Sequence, residues 1–521
     1  MSLTATPPLP SRPSIAAWAA LSAVLIVGFY TLTLALATAC VYLPYVLMSA
    51  RDGANLQVNL LFVSGVVMAG TMLWSLMPRR EKFTPPGPRL EPDRQPRLFT
   101  EIERLAARLN EAAPQEVYLI PEVNAWVAEP RGGGRHIMGI GLPLLQLLTV
   151  SQFRAVLAHE FAHYYGGDTR LGPWVYRTRA AMVRTLLGLG RPSTVLRVVT
   201  RFALVRLAHF VVTRALIAYW NLFLRITQSI SRRQEYRADE LACSVAGSRA
   251  LIEGLQDIHR GAAAVNAYWA ELRQAVAAGY RPPIAEGFAS FMAAGDVREA
   301  VEAQLEKELA HPDTQPFDSH PPLRDRLLAA GRLSVVREPQ DDAPAISLIG
   351  DLTGVESELL EKLTPNQNVA SLKPARWEDI GNEVYVPAWK KYVEEHAELL
   401  SGVTAGSLFA RVQHLMEMGS GIRDPKGMLL TREQRAQRAT DLLAAGFCLA
   451  LITKGWELHA QPGELYLQCG THRLYPFDVI RELAATKLTE QAWLERTRFL
   501  DIQDLCLGPN RLSGVPSGNA A

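Results

Sequence analysis

Two histidines and a glutamate lie within five consecutive residues, His159-Glu160-Phe161-Ala162-His163. On an α-helix, His159 and His163 are four residues apart and project from one face with their Cβ atoms about 5–6 Å apart, as two ligands of one metal ion require. Glu160 lies beside them, where a carboxylate can accept a proton from a water activated by the metal. The spacing therefore predicts a metal site for hydrolysis.

The flanking sequence predicts the helix that positions these side chains. Thr149, with Gln152 three residues later, matches a capping box at the helix start. Gly166 and Gly167 follow the last apolar-periodic residues and are typical of a helix end. We therefore predict a helix that begins at Thr149 and carries the whole motif.

A catalytic zinc needs a third protein ligand, and Glu235 is the candidate because it would complete a His₂Glu set. Glu235 and Asp239 are four residues apart in Ser231-Arg232-Arg233-Gln234-Glu235-Tyr236-Arg237-Ala238-Asp239 and share one helix face. Asp239 could then orient a ligand histidine. Taken alone, the two carboxylates also fit an ordinary solvent-exposed face.

These motifs together resemble the HtpX-like and CAAX-prenyl-endoprotease family of membrane zinc metallopeptidases, which are gluzincins. The likeness rests on the two motifs above, on Val123-Asn124-Ala125 and on Ser319-His320-Pro321-Pro322, and it covers about residues 99–328. It implies one catalytic Zn²⁺ and a peptide hydrolase. The roles that it implies are zinc ligands for His159, His163 and Glu235, the base for Glu160, and support of the site for Asp239.

The resemblance also implies substrate contacts. Asn124 and Ala125 correspond to an edge strand that holds the substrate backbone by strand addition. His320 and Arg326 correspond to oxyanion or substrate contacts near the catalytic centre. For His320 an alternative stays open, a loop histidine ahead of a helix whose first residues are prolines.

Two uncharged stretches predict transmembrane helices. Between Arg12 and Arg51 lie 38 consecutive uncharged residues, and a second stretch runs from Gly53 to Pro78. A cleaved signal peptide is the alternative for the first stretch, but its apolar residues continue well beyond the 7–15 residues of a signal peptide. The second stretch is followed at once by Arg79, Arg80 and Lys82, so both termini and the catalytic domain are expected in the cytoplasm, with the protein in the cell membrane.

The order of these segments predicts the domain organisation and fold class. We expect a mainly α fold with a small β-sheet, in which a gluzincin-type domain follows an N-terminal transmembrane helical hairpin and precedes an α+β C-terminal accessory domain. Strand patterns occur at 116–120 and in a hairpin over 127–141 that turns at 131–134, and the C-terminal part is helical to about Leu451 and then mixed, with strands at 456–459 and 464–469. The boundaries are a disordered N-terminus (1–14), two transmembrane helices (15–82), a Pro-rich linker (83–98), the metallopeptidase domain (99–336), a second linker (337–345) and the accessory domain (346–521).

The segment from Thr169 to Gln234 is strongly basic, with 12 Arg and no acidic residue, which leaves 42 basic residues against 52 acidic ones in the rest of the chain. Its longest uncharged run, Ala215 to Leu224, is too short to span a bilayer. We expect basic amphipathic helices that lie against anionic lipid headgroups. An Arg-rich helical pair packed on the acidic remainder of the protein is the alternative, and nucleic acid is not expected because no binding motif accompanies the charge.

Composition excludes several other classes of protein. With 48% hydrophobic and 20% charged residues the chain can form cores, and no nucleotide-binding glycine motif occurs. A second zinc site is a weak possibility, since only the C-x₂-H spacing supports it and ordinary thiols and surface histidines are favoured. Its ligands would be Cys448, His459, Cys469 and His472.

The function expected from the sequence is a membrane-anchored zinc metalloendopeptidase. It would cleave protein or peptide substrates at the cytoplasmic face, and the resemblance implies membrane-protein quality control. A prenyl-protein processing enzyme is a second interpretation, disfavoured because those enzymes resemble a multi-span cavity. A non-proteolytic scaffold or holdase on the same fold is the alternative from another class, although such a protein does not need Glu160 as a base.

Overall fold

The computed structural model describes residues 12–50, 56–77, 83–128, 135–163, 172–190, 202–311, 321–336, 341–422 and 431–509. Three hydrophobic cores organise this part of the chain: one among the N-terminal helices, one from Leu90 to Val384, and one from Val393 to Leu507. The fold is mainly helical with small sheets, as the sequence predicts.

The N-terminal helices form a bundle with two helices from the basic segment. Its elements are α1 (Arg12–Ser49), α2 (Leu56–Leu76), α6 (Gly172–Gly190) and the first half of α7 (Ala203–Ala246). Tyr219 of α7 donates a hydrogen bond to the carbonyl oxygen of Leu25 in α1 at 2.6 Å. The apolar side chains that these helices share include Phe29, Met68, Met72, Met182, Leu216 and Phe223.

The described helices of residues 169–234 pack on the N-terminal helices. The apolar residues between their arginines contact α1 and α2, because they form a helix face longer than any single uncharged run. Contact of this segment with anionic lipid headgroups stays a prediction. Three helices are long and apolar enough to cross a membrane, namely Ala20–Ser49, Leu56–Leu76 and Ala203–Thr227, of which the sequence predicts the first two as spans.

A four-stranded sheet begins the next core. Its strands are β1 (Arg89–Leu90), β2 (Glu116–Ile120), β3 (Ala125–Ala128) and β4 (Ile137–Gly141), in the spatial order β1-β2-β4-β3. The β2 range was predicted from the sequence, as was the antiparallel pairing of β3 with β4, in which Ala125 lies opposite Ile140. The predicted turn at 131–134 lies outside the described residues.

The structure describes parts of both predicted linkers. Strand β1 pairs with β2, and the first helix of the domain begins at Pro96, because a proline fits the first helical position. Residues 341–345 run along the start of the helix that bears the histidines, where the amide of Val150 donates to the oxygen of Ala343 at 2.8 Å. The predicted disorder at 1–14 falls almost wholly outside the described residues, since α1 starts at Arg12.

Helices complete the second core around the sheet. In chain order they are α3 (Pro96–Leu109), α4 (Leu142–Leu147), α5 (Val150–Ala162), the second half of α7, α8 (Ser248–Ala277), α9 (Ile284–Ala293), α10 (Gly295–Ala310), α11 (Leu323–Leu333) and α12 (Leu352–Leu363). A two-residue strand, β5 (Tyr280–Arg281), pairs with β6 (Lys373–Pro374).

The predicted domain boundary does not divide the cores. Trp377 is buried in the second core and donates through Nε1 to the oxygen of Pro283 at 2.7 Å. The second core therefore extends to Val384, about 40 residues past the boundary expected at 337–345. The elements of this crossing region are a 3₁₀ turn (Ala345–Leu348), α12, β6, α13 (Trp377–Ile380) and a π-helical turn (Gly381–Tyr385).

The third core surrounds one long buried helix, α17 (Arg432–Thr453). The remaining elements are α14 (Val386–Glu395), α15 (Leu408–Val412), α16 (Leu415–Ser420), β7 (Glu457–Gln461), β8 (Glu464–Cys469), β9 (His472–Leu474), α18 (Pro476–Ala484) and α19 (Glu490–Phe499). The predicted change from helical to mixed structure after Leu451 is confirmed, and β8 has the predicted range.

Candidate active site

Helix α5 presents the H-E-x-x-H motif from inside the second core. The capping box at its start is present as predicted: the amide of Thr149 donates to Oε1 of Gln152 at 2.8 Å, and Oγ1 of Thr149 accepts from the amide of Gln152. The helix ends at Ala162, and the glycines expected to end it lie outside the described residues. Because α5 is buried along most of its length, His159 cannot turn away from the interior.

The structure brings His159, His163 and Glu235 together. The three offer ligand atoms that all lie within 4.8 Å of one another. Oxygen atoms of Glu235 lie 3.4 Å from Nε2 of His159 and 3.6 Å from Nε2 of His163. The rings of the two histidines are nearly perpendicular, with their centroids 5.0 Å apart.

These distances fit one tetrahedral zinc ion. With metal–ligand bonds of about 2.0–2.2 Å, the ligand atoms of a tetrahedral site are about 3.4 Å apart. Two imidazoles and a carboxylate are also a donor set that zinc prefers. His163 is partly exposed, whereas His159 and Glu235 are buried, so the site opens on the His163 side.

A buried chain of hydrogen bonds holds His159 through Nδ1, on the side of the ring away from Glu235. Oδ1 of Asp239 lies 2.9 Å from Nδ1 of His159, which leaves Nε2 facing Glu235. The guanidinium of Arg326 donates two hydrogen bonds to the Asp239 carboxylate, at 2.7 and 2.9 Å. Such a carboxylate fixes both the ring orientation and the tautomer of a ligand histidine.

The charges of these hydrogen-bonded side chains favour a cation at the cluster of His159, His163 and Glu235. Burial alone would raise the pKa of Asp239, but the hydrogen bonds from Arg326 and His159 outweigh it and lower that pKa. Burial lowers the pKa of His159, yet the carboxylates of Asp239 and Glu235 outweigh it and raise the pKa to about 9. Two ionised carboxylates around one imidazole therefore attract a cation, whether a proton or a metal ion.

The sheet supplies an edge beside this cluster. Strand β3 is the outer strand of the sheet, and α5 packs against it. Asn124 is exposed just before β3, and its backbone oxygen accepts a hydrogen bond from the backbone amide of Gly141 at 2.9 Å. Ala125, the first residue of β3, is buried against the core.

Comparison with known proteins agrees with this arrangement. Residues 92–333 match the model of peptidase family M48, which includes both zinc-site motifs and the edge strand. We call these residues the M48 domain because they match the model of this family. Three proteins similar to part of this chain are also proteases by name. They are Protease HtpX of Idiomarina loihiensis (28% identical over 178 residues), a Protease HtpX homolog of Acaryochloris marina (28% over 189) and Protease HtpX homolog 1 of Saccharolobus solfataricus (33% over 93).

The similarity covers only part of this chain and only part of each relative. It covers 32%, 33% and 18% of this chain, which in turn spans 57%, 59% and 28% of the three relatives. No solved structure matches the chain. The match to the family model ends at residue 333.

Two further site residues were expected from the resemblance, Arg326 and His320. Arg326 of the M48 domain is buried and holds Asp239, so its contacts are those of a positioning residue, although the resemblance implied a direct substrate or oxyanion contact. Sequence spacing gave no sign of this pair, since 87 residues separate its members. His320 lies outside the described residues.

The second zinc site is not assembled. Among the described residues, His159, His163 and Glu235 form the group of ligating side chains close enough for a metal ion. Cys448 is buried in α17, whereas Cys469 and His472 are exposed on neighbouring strands. The ring of His459 stacks on Tyr466, which accounts for its position without a metal.

Proposed function

We propose that the protein is a membrane-anchored zinc metalloendopeptidase that hydrolyses protein or peptide substrates at the cytoplasmic face of the cell membrane. The observation that carries the proposal is the convergence of His159, His163 and Glu235, with Glu160 one residue from the first ligand. A buried His₂Glu cluster on an H-E-x-x-H helix has the donor set and the adjacent base that metal-assisted hydrolysis needs.

In the proposed reaction, the chain's own residues position groups and move protons. Zinc, when bound by His159, His163 and Glu235, supplies Lewis acidity for the attacking water and the scissile carbonyl. Glu160 accepts a proton from the water and returns it to the leaving amine. Asn124 and Ala125 hold the substrate backbone alongside β3.

The position of the zinc-site residues supports a proposal for the membrane topology. His163 precedes α6 and Glu235 follows the apolar half of α7, yet the two side chains are 3.6 Å apart. The chain between them must therefore cross the membrane an even number of times. If Ala203–Thr227 crosses, as its length and composition allow, then α6 crosses too. Helix α6 is not among the three apolar candidates, because it contains Arg177, Arg179 and Arg184. Its 19 residues nevertheless span about 28 Å, close to the thickness of a hydrocarbon core.

We accordingly propose four crossings, by α1, α2, α6 and α7, where the sequence alone led us to expect two. Both termini stay on the cytoplasmic side, as the basic residues after α2 favour. Apolar side chains on the outer faces of α6 and α7 support a lipid environment, among them Trp174, Leu187, Leu207, Phe210 and Val211. A role in membrane-protein quality control is part of the proposal only through the family resemblance.

The decisive experiment is degradation of casein by the detergent-purified full-length protein, with bound zinc quantified. We expect cleavage that a chelator stops and zinc restores, and that Glu160→Gln loses while still binding zinc. Glu240→Gln, an exposed glutamate on α7, is the matched control. If wild type and Glu160→Gln both hold zinc and neither cleaves, the scaffold or holdase alternative replaces the peptidase.

A further inference from the structure

A cavity of about 450 Å³ opens beside the substrate strand, at the end where Asn124 lies. Its walls come from three separated parts of the chain: the segment before β3, one face of α8, and the last turn of α12. The residues that form its apolar surface include Val123, Val265, Trp269, Leu272, Val276 and Leu360.

The cavity is apolar inside and polar at its mouth. Val265, Trp269 and Leu272 belong to the second core and are at most 9% exposed, so its inner wall is fixed. Trp269 is further held by a hydrogen bond from Nε1 to the oxygen of Pro121 at 3.1 Å. Asn266 and Arg273 are exposed at the rim. An apolar interior with a few polar groups at the entrance is typical of a site for an organic group.

The cavity continues the line of β3. A peptide that adds to the free edge of β3 runs past Asn124, which lines the cavity. Side chains of an extended peptide alternate between two sides, so every second residue points towards the protein surface it lies on. We therefore expect one of those residues to reach the cavity mouth.

We propose that this cavity is a substrate side-chain subsite, and that it takes one bulky apolar residue such as Phe or Leu. The proposal rests on the proposed peptidase function, which supplies the peptide along β3. One wall, α12, lies beyond the M48 domain, which ends at residue 333. The segment after the M48 domain therefore helps to set the substrate preference of the enzyme.

Binding can be tested without turnover. The probes are fluorescein-labelled alanine-based peptides, each with a single Phe at a different position, added to zinc-loaded full-length Glu160→Gln. We expect one Phe position to bind roughly tenfold more tightly than the all-alanine peptide, as expected for burial of an aromatic side chain. Fluorescence anisotropy measures the difference.

Matched pairs of variants locate the effect. Ala262→Trp on α8 and Leu363→Trp on α12 fill the cavity from opposite walls, and both residues are exposed, so the fold should tolerate the change. Ala263→Trp and Lys362→Trp are their controls, because these exposed neighbours do not line the cavity. We expect both filling variants to abolish the preference for Phe and both controls to keep it.

The outcomes separate the subsite from the peptidase. Equal affinity for all peptides, or a Phe preference that survives both filling variants, overturns the subsite even when wild type cleaves casein. A preference that the filling variants remove supports the subsite, including the case in which wild type shows no zinc-dependent cleavage. Absence of zinc-dependent cleavage by wild type overturns the proposed peptidase function instead, and the protein is then a peptide-binding protein.

Discussion

Arg326 and Asp239 form a bidentate ion pair directly behind the zinc-site histidine. Nη2 of Arg326 lies 2.7 Å from one Asp239 oxygen and Nε lies 2.9 Å from the other, while Asp239 also contacts Nδ1 of His159. Both members of the pair are buried, so water cannot substitute for either partner. The orientation of His159 therefore depends on Arg326, which lies 87 positions after Asp239 in the chain.

Arg326→Lys should weaken zinc binding. A lysine carries the charge but cannot make the two parallel hydrogen bonds, so Asp239 is held less firmly and His159 with it. Loss of such an indirect support typically costs 10–100-fold in metal affinity. Competition with a chromophoric chelator measures the change, and Arg324→Lys, exposed on the same helix, is the control. A raised KM for peptides with unchanged zinc affinity would instead make Arg326 a direct substrate contact.

How much of this site could be predicted depends on how local its signals are. His159 and His163 were predicted because the helical period itself brings them together, and the capping box marked the helix start. Glu235 could be predicted as the third ligand only from its own helix motif together with the family resemblance. Arg326 could be placed near the site only through that resemblance, and its contact with Asp239 arises from tertiary packing that no spacing rule encodes.

The fold shows the same limit. Strand β2 and the pairing of β3 with β4 follow from local patterns and were predicted. The third apolar helix was not predicted as a span because Arg206 and Arg214 interrupt its uncharged run. In the structure Arg214 lies over the ring of Phe210, at 5.3 Å from its centroid, so it does not interrupt the helix. Whether such a charge is tolerated depends on neighbours that a count of uncharged residues ignores.

Gly65 is expected to be essential to the contact between α1 and α2. A Cβ atom at this position would overlap the backbone oxygen of Cys40, so the two helices can approach only because the residue is glycine. Gly65→Ala should destabilise the helix pair by about 1–3 kcal/mol, the usual cost of overpacking. Gly70→Ala is the control, since nothing lies within 4 Å of a Cβ there. Unfolding in mixed detergent micelles should show a lower midpoint for the first variant alone; equal midpoints would contradict this packing.

The proposed four crossings predict that the C-terminal end of α6 lies on the outer side of the membrane. Gly190 is exposed and has room for a side chain. In a protein whose only cysteine is Gly190→Cys, we expect labelling of intact cells by a membrane-impermeant maleimide. A protein that retains only Cys469, exposed in the third core, should be labelled only after lysis. Labelling of neither variant before lysis, with both labelled afterwards, would place α6 and α7 wholly on the cytoplasmic side.

Glu271 should make the attachment of the C-terminal hairpin sensitive to pH. Its carboxylate accepts a hydrogen bond at 3.1 Å from the amide of Gly463, which lies at the turn between β7 and β8. Burial raises the pKa of Glu271 to about 7, and the Gly463 hydrogen bond only partly opposes this. The ionisable groups that face it are the phenols of Tyr268 and Tyr385, whose pKa values burial also raises, so neither titrates near neutral pH.

The sign of the effect follows from the raised pKa. Between about pH 4.5, the ordinary value for an unfolded chain, and pH 7, the folded protein binds more protons than the unfolded one, so stability falls as pH rises through this range. The full loss, reached above pH 7, is on the order of 3 kcal/mol, since each pKa unit corresponds to about 1.4 kcal/mol. Glu271→Gln cannot ionise, so we expect it to unfold at a higher temperature than wild type at pH 8 and at nearly the same temperature at pH 5. Glu306→Gln, on the exposed face of α10, should follow wild type at both values. A constant difference between wild type and Glu271→Gln across this range would mean that Glu271 is already ionised when the hairpin is bound.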